Sequence, residues 1–192
     1  MTNIGVIIGS TRPARVGGQI GAWVARRARA QPEANVDLID LAELALPFLD
    51  EEYDATTGIY QNGHTRAWSA RVESLAAVLL VTCEYNSSFP APLKNALDYL
   101  YREWQRMPVG IVGYGGISSG TRAVHALMPV VTHLGMIPVG STNLRLRDRI
   151  DAAGVVRPNA HDDESLDDLL ARLLDMTARL AGCGTAEVAR TP

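Results

Sequence analysis

Short apolar runs rich in β-branched residues alternate along the chain with longer segments in which apolar residues recur every three or four positions. Continuous apolar runs are typical of strands covered on both faces of a parallel sheet, and the longer period is typical of helices with one buried face. The predicted strands are residues 3–8, 36–40, 77–82, 109–112 and 136–140. The predicted helices are residues 18–29, 64–76, 91–104, 121–134 and 164–180.

The alternation of strands and helices predicts an α/β protein with one doubly wound parallel sheet of five strands. We place a single domain at residues 1–183 and expect residues 184–192 to form a frayed tail. Residues 41–63, rich in Pro, Asp, Thr and Gly, predict a short helical turn and a long excursion of a kind that is often functional. Ligands of such sheets bind beyond the carboxyl ends of the strands, at the switch in strand order. The candidate site therefore lies in the loops after strands 1, 3 and 4, here named the first, second and third loops: residues 9–18, 83–90 and 113–120.

The composition narrows the function classes. The chain has 192 residues, 47% of them hydrophobic and 20% charged, and a net charge of −3, which argues against a strongly basic nucleic-acid-binding protein. No apolar run reaches the roughly 18–20 residues that span a bilayer, so no membrane insertion is expected. Cys83 and Cys183 are too few for a disulfide scaffold and show no metal-ligand spacing. The small number of cysteines and the lack of basic residues before the first apolar run together predict a cytoplasmic protein.

The first loop, together with the start of the helix after it, reads GSTRPARVGGQIG and carries groups that suit an anion. Ser10 offers a hydroxyl, Arg12 and Arg15 offer guanidinium forks, and Gly17 opens the helix so that its N-terminal amides can approach a phosphate closely. The loop matches neither GxxxxGK[ST] nor GxGxxG, so it favours a phosphate monoester over a nucleoside triphosphate or a dinucleotide pyrophosphate. Two alternatives stay open: a solvated loop whose arginines pair with surface carboxylates, and an Arg15 that meets the phosphates of a dinucleotide.

The second loop and the helix after it, CEYNSSFPAPLKNALDYL at residues 83–100, are similar to the pattern PEYNxSxPxxLKNAxDxL of the NADPH-dependent FMN reductase family. The GSxR motif of that family matches residues 9–12, and its glycine turn before the fourth helix is similar to VGYGGISSGTRAVHAL at residues 112–127. The three motifs occur in order and cover about residues 4–140, so the resemblance is more specific than any single motif.

The resemblance implies a flavodoxin-like, three-layer fold with strand order 2-1-3-4-5. It implies an enzyme that binds FMN non-covalently, takes a hydride from NADPH or NADH, and passes the electrons to a quinone, a flavin or a similar small acceptor. Members of the family pair through the helix after the EYN motif, which implies a homodimer or a tetramer. By matching position, the residues around the FMN phosphate are Ser10, Arg12, Gln19 and Ile20. The residues along the ring are Glu84, Tyr85 and Asn86, with Gly115, Gly116 and Ser118 on the opposite loop.

Some positions depart from the family pattern. Cys83 stands where the family usually has proline, and Gly17 and Gly18 stand where many members have serine and another polar residue, so backbone amides would have to replace hydroxyls at the phosphate. We interpret Cys83 as a small buried residue rather than a redox thiol, because no second cysteine lies near it in the sequence. No catalytic acid or base is expected, since the cofactor supplies the reactive atom in hydride transfer.

Two other function classes are consistent with the same fold. One is a flavodoxin-type carrier that binds FMN but does not react directly with NADPH. The modest net charge argues weakly against it, because carriers steer their partners with stronger acidic fields. The other is an interaction domain without a cofactor, since a fold does not fix a function. Rapid bleaching of the flavin by NADPH would identify the enzyme, and a colourless protein that takes up no FMN would identify the interaction domain.

Overall fold

A computed structural model of the chain describes residues 1–188, with side chains through residue 182. Within this part of the chain the strands are β1 (Thr2–Ile8), β2 (Ala34–Asp40), β3 (Ala77–Cys83), β4 (Pro108–Gly115) and β5 (Ile137–Arg145). They form one parallel sheet in the order β2-β1-β3-β4-β5. This order confirms the predicted flavodoxin-like topology.

Helices cover both faces of the sheet. They are α1 (Gly17–Arg29), α2 (Leu41–Leu44), α3 (Gly63–Glu73), α4 (Ala91–Asp98), α5 (Thr121–His133) and α6 (Ala160–Val188). Residues of α1 and α6 form the core on one face, and residues of α2, α3, α4 and α5 form the core on the other, which gives the predicted three layers. Among the described residues, no helix is long and apolar enough to cross a membrane.

The central strand β3 contributes side chains to the cores on both faces of the sheet, because successive side chains of a strand point to opposite faces. All seven of its residues are buried. Val78 and Leu80 pack under α3, α4 and α5, while Leu79 and Val81 pack under α1 and α6. The strand therefore reads in the sequence as a continuous apolar run rather than as an alternating one.

The predicted helix at residues 91–104 is wrong in its second half. Helix α4 ends at Asp98, and a separate 3-10 turn follows at Arg102–Trp104. The indole of Trp104 is fully buried and donates its N–H to the Leu97 carbonyl at 3.0 Å, so the chain folds back over the end of the helix instead of continuing it. The apolar spacing beyond Asp98 reflects this burial and not a helix.

The predicted last strand is too short. Strand β5 continues to Arg145 because residues 141–145 pair in parallel with the carboxyl half of β4. These residues are mostly polar, so their apolar pattern did not predict a strand. The strand lies at the edge of the sheet, and only Leu144 among them is buried.

The last helix is longer than predicted at both ends. It begins at Ala160, where the Asn159 Oδ1 accepts from the Asp162 amide and the Asp162 Oδ2 accepts from the Asn159 amide, a reciprocal N-terminal cap. It runs to Val188 and so passes the predicted domain end at residue 183. The remainder of the expected tail, residues 189–192, lies outside the described residues.

The excursion predicted at residues 41–63 packs against α4. It begins with α2 and includes a 3-10 turn at Ala55–Thr57. The Leu49 amide donates to the Asn95 Oδ1 at 2.9 Å, and the Asn95 Nδ2 donates to the Pro47 carbonyl at 2.7 Å. These bonds fix the excursion beside the helix that follows the second loop.

Candidate functional site

The first, second and third loops meet at the carboxyl end of the sheet, because β3 pairs with both β1 and β4. Together they line a cavity of about 190 Å³. Its lining residues are Arg12, Arg15, Val16, Cys83, Glu84, Tyr85, Tyr114, Gly115, Gly116 and Leu146. Half of the residues predicted around a cofactor therefore line this cavity: Arg12, Glu84, Tyr85, Gly115 and Gly116.

Ser10, at the start of the first loop, is fully buried behind the lining. Its Oγ accepts a hydrogen bond of 2.9 Å from the Tyr114 Oη, and Tyr114 itself lines the cavity. Ser10 is thus joined to the cavity through Tyr114.

Arg12, Tyr85 and Cys83 form one interacting group. Burial raises the pKa of Tyr85, the hydrogen bond with Cys83 raises it further, and the guanidinium of Arg12 opposes both effects. Burial also raises the pKa of the Cys83 thiol, against hydrogen bonds with Tyr85 and Tyr114 that lower it. Cys83 is 5% exposed, as expected for a small buried residue, and its raised pKa keeps it a thiol rather than a reactive thiolate near pH 7.

Arg15 lies deeper than Arg12 and is held by a carboxylate. Its Nη2 donates to the Asp40 Oδ2 at 2.5 Å, and the Asp40 Oδ1 accepts from the Ala42 amide at the start of α2. The Arg15 Nε is buried and has no hydrogen-bond partner among the described residues. A buried N–H without an acceptor is costly, so this atom is suited to an acceptor oxygen that a ligand brings into the cavity.

Gln19 and Ile20 do not turn their side chains to the cavity. The Gln19 Nε2 donates to the Gly154 carbonyl and its Oε1 accepts from the Val156 amide, which ties α1 to the chain after β5. Ile20 is fully buried in the core under α1 and α6. The first amides of a helix have no acceptor inside it, so the N–H groups suited to an anion are those of Gly17 and Gly18.

The tip of the second loop is a tight turn. Tyr85 and Ser88 exchange backbone hydrogen bonds of 2.9 and 3.0 Å. Between them Asn86 and Ser87 have φ values of 49° and 68°, as in a type I′ turn, and asparagine adopts this conformation more easily than most residues. Asn86 is exposed at the tip and forms the turn rather than the lining of the cavity.

Glu84 and Ser118 bind each other across the site. The Ser118 Oγ donates to the Glu84 Oε2 at 2.6 Å, and the Arg122 amide donates to the same oxygen at 3.1 Å. The Arg122 guanidinium lies 3.6 Å from the Glu84 Oε1. The Glu84 carboxylate therefore fastens the second loop to the third loop and to the start of α5.

The third loop presents backbone to the cavity. A Cβ at Gly116 would meet no atom within 4 Å, so the lining is open above this residue. Gly120 has a φ of +84°, and a Cβ there would lie 2.4 Å from the Tyr114 amide nitrogen, which only glycine tolerates. The loop thus folds back tightly on the end of β4 and leaves a flat surface without side chains at Gly115 and Gly116.

Sequence reasoning missed Tyr114, Val16 and Leu146 as lining residues. Tyr114 directly precedes the glycine pair of the third loop, which is the one local signal that could have marked it. Leu146 follows a strand that was predicted to end too early. Among the described residues, no group of three His, Cys, Asp or Glu side chains could hold a metal ion.

Comparisons with known proteins agree with the motifs. The model of a family described as NADPH-dependent FMN reductase matches residues 2–147. An NAD(P)H-dependent FMN reductase of Saccharomyces cerevisiae is 32% identical over 154 residues, which are 74% of this chain and 80% of that protein. A 2-hydroxy-1,4-benzoquinone reductase of a Burkholderia species is 29% identical over 161 residues, 79% of this chain and 83% of that protein. In fold, the chain resembles a flavoenzyme NAD(P)H:acceptor oxidoreductase of Paracoccus denitrificans with a TM-score of 0.69, at 19% identity over 92% of this chain and 99% of that chain.

Proposed function

The chain belongs to the NADPH-dependent FMN reductase family and is an FMN-dependent NAD(P)H oxidoreductase, and we propose that the cavity between the first, second and third loops is its FMN site. The observation that carries this proposal is the convergence of Arg12, Tyr85 and Gly115, one from each loop, on a single cavity. Residues this far apart in the sequence meet beyond the carboxyl ends of the strands, where doubly wound folds bind their ligands.

The phosphate of FMN would be held at the first loop. Arg12 offers a charged guanidinium, the Arg15 Nε offers a buried N–H without an acceptor among the described residues, and the amides of Gly17 and Gly18 open α1. Ser10 adds a hydroxyl at the same place. Charge-assisted hydrogen bonds of this kind suit a phosphate monoester.

The ring of FMN would lie between the second and third loops. Tyr85 offers an aromatic face on one side, and Gly115 and Gly116 offer flat backbone on the other. Glu84 and Ser118 then act by joining these two loops, and not by contacting the ring with their side chains.

FMN, when bound, supplies a ring that accepts a hydride from NADPH or NADH and delivers electrons to an acceptor. The chain's own residues bind and orient the ring, and the open lining above Gly116 gives the nicotinamide and the acceptor access to it. Neither task needs a protein acid or base, in keeping with the neutral phenol and thiol that line the cavity. Backbone amides of the third loop are suited to stabilise negative charge on the ring.

The acceptor that fits an open, flat surface is itself flat and small. A relative from Burkholderia is named a benzoquinone reductase, and one from Staphylococcus haemolyticus is named an FMN-dependent NADPH-azoreductase. We therefore propose quinones, flavins or similar aromatic molecules as acceptors. The cytoplasm is the proposed location, because Cys83 is a free thiol and pools of NAD(P)H lie there.

We propose that two copies of the chain form a homodimer through α4 and the excursion beside it. An apolar cavity of about 310 Å³ opens between Leu46, Phe48 and Pro92, and the Phe48 side chain is 84% exposed. Large exposed aromatic side chains beside an apolar depression are typical of an interface.

The visible spectrum of the purified protein, saturated with FMN and then mixed anaerobically with NADPH, tests the function. The enzyme predicts a bound flavin whose visible absorbance is lost rapidly on mixing, and is regained when a quinone is added. A flavin that stays oxidised would favour the electron carrier instead. Failure to retain any FMN after dialysis would favour the cofactor-free interaction domain.

A further inference from the structure

Tyr114 makes a buried hydrogen bond with Ser10. Its side chain is 2% exposed, and its Oη donates to the Oγ of the fully buried Ser10 at 2.9 Å. The bond joins the ends of β4 and β1, which are not neighbours, since β3 lies between them. A bond that spans a strand in this way fixes the third loop against the first.

Both hydroxyls lie directly against the first residue of α1. A Cβ at Gly17 would be 2.1 Å from the Ser10 Oγ and 2.6 Å from the Tyr114 Oη. The hydrogen bond therefore forms only because residue 17 has no side chain. It also places the Ser10 hydroxyl beside the helix N-terminus, whose first amides have no acceptor inside the helix.

Each hydroxyl of the pair can donate or accept, and a ligand that accepts from Ser10 leaves Tyr114 as the donor. A serine hydroxyl has one hydrogen to donate and two lone pairs. When Tyr114 donates its hydrogen to Ser10, the hydrogen of Ser10 is free for an acceptor that a ligand brings, and within the described residues the Ser10 Oγ makes no other hydrogen bond. Burial raises the pKa of the Tyr114 phenol, so the phenol is protonated near neutral pH and has a hydrogen to donate.

We propose that Tyr114 is a positioning residue that holds the Ser10 hydroxyl ready to donate to the FMN phosphate; the inference rests on the proposed FMN site. Tyr114 acts through Ser10 on the phosphate end of the cofactor, with Gly17 leaving the necessary space. The role is distinct from that of Tyr85, which lies at the ring.

The comparison of FMN with riboflavin tests this role, because riboflavin has the same ring but no phosphate. Apoprotein is titrated into each flavin, and binding is followed by the loss of flavin fluorescence. In Tyr114→Phe we expect FMN to bind about fivefold more weakly, which is the loss of affinity expected when one neutral hydrogen bond is removed. Riboflavin should bind to this variant as it does to the wild type. Tyr53→Phe, an exposed tyrosine of the excursion, is the matched control and should change neither.

A double-mutant cycle with Ser10→Ala tests the path of the effect. If Tyr114 acts through Ser10, adding Tyr114→Phe to Ser10→Ala weakens FMN binding no further. Gly17→Ala, which intrudes on both hydroxyls, should also weaken FMN more than riboflavin.

Three results would overturn the inference: equal weakening of FMN and riboflavin in Tyr114→Phe, full additivity of the two substitutions, or unchanged FMN affinity in folded Tyr114→Phe protein. Thermal melts of each variant report folding separately from affinity. If the wild type binds neither flavin, the proposed FMN site itself has failed, and that result is seen before any variant is made.

Discussion

Arg12 and Arg15 are three positions apart and have different surroundings. Arg12 is exposed at the cavity and interacts with Tyr85, while Arg15 is mostly buried against Asp40. An exposed guanidinium can turn to meet a ligand, whereas one fixed by a carboxylate can meet a ligand only from the position that the carboxylate sets. At the scale of single residues, the two arginines are therefore not interchangeable.

Replacement of Arg12 by alanine should weaken FMN binding by about 1–3 kcal/mol, since a charge-assisted hydrogen bond to the phosphate is lost. A fluorescence titration of the apoprotein measures this change. Arg26→Ala removes an exposed arginine from α1 and serves as the control. Unchanged affinity in Arg12→Ala would show that this guanidinium does not meet the phosphate.

Glu84→Ala should destabilise the protein by about 1–3 kcal/mol, because the Ser118 hydroxyl and the Arg122 amide lose their common acceptor and the carboxylate is only 9% exposed. Urea unfolding followed by circular dichroism measures the loss. Glu73→Ala, at the exposed end of α3, should be nearly neutral. A Glu84→Ala protein as stable as the wild type would refute the role of this carboxylate as a link between loops.

At the scale of elements, the strands and helices that feed the core were predictable and the contacts between them were not. The continuous apolar run of β3 indicated a strand that is buried on both faces of the sheet. The end of α4 was misplaced because Trp104 packs back on the helix, and that contact depends on the fold rather than on spacing. Strand β5 was cut short because an edge strand needs few apolar residues.

An ion pair between β2 and α3 predicts how stability depends on pH. Arg71 donates from its Nε and Nη2 to the two carboxylate oxygens of Asp37, both at 2.7 Å. The hydrogen bond from Arg71 holds the pKa of Asp37 below its usual value, against an opposing effect of burial. A carboxyl with a lowered pKa in the folded state stabilises above its unfolded pKa, roughly 4, and loses that contribution as the pH falls through the folded pKa.

The difference in unfolding free energy between the wild type and Asp37→Asn should accordingly be largest near neutral pH and shrink below about pH 4. Urea unfolding of both proteins across this range measures it, and the difference cancels the titration of other carboxylates. A difference that stays constant with pH would contradict the ion pair as the cause.

At the scale of the whole molecule, three motifs that are distant in sequence form one site because β1, β3 and β4 are adjacent. The sequence predicted this convergence from the alternation of elements and the resemblance to a family. It could not predict that Gln19 binds the chain after β5, or that Ser10 and Tyr114 join across β3, since these pairings depend on the relative placement of elements. Motif position predicted the three loops that line the cavity, and side-chain geometry divides their residues into those that face the cavity and those that support it.

The proposed dimer gives a prediction at this scale. Size-exclusion chromatography with light scattering should give twice the mass of the chain for the wild type and a monomer for Phe48→Glu, because a charge in an apolar interface is costly. Val155→Glu changes an exposed residue after β5, outside α4 and the excursion, and should remain dimeric. A monomeric wild type, or a dimeric Phe48→Glu, would contradict an interface at Phe48.

The most direct test of the FMN site is the amide NMR spectrum of the isotope-labelled apoprotein titrated with FMN. The proposed site predicts that the largest shifts fall together on the first, second and third loops, including the amides of Gly17, Tyr85 and Gly116. Shifts at the apolar cavity beside Phe48 instead, or a spectrum that FMN leaves unchanged, would contradict it.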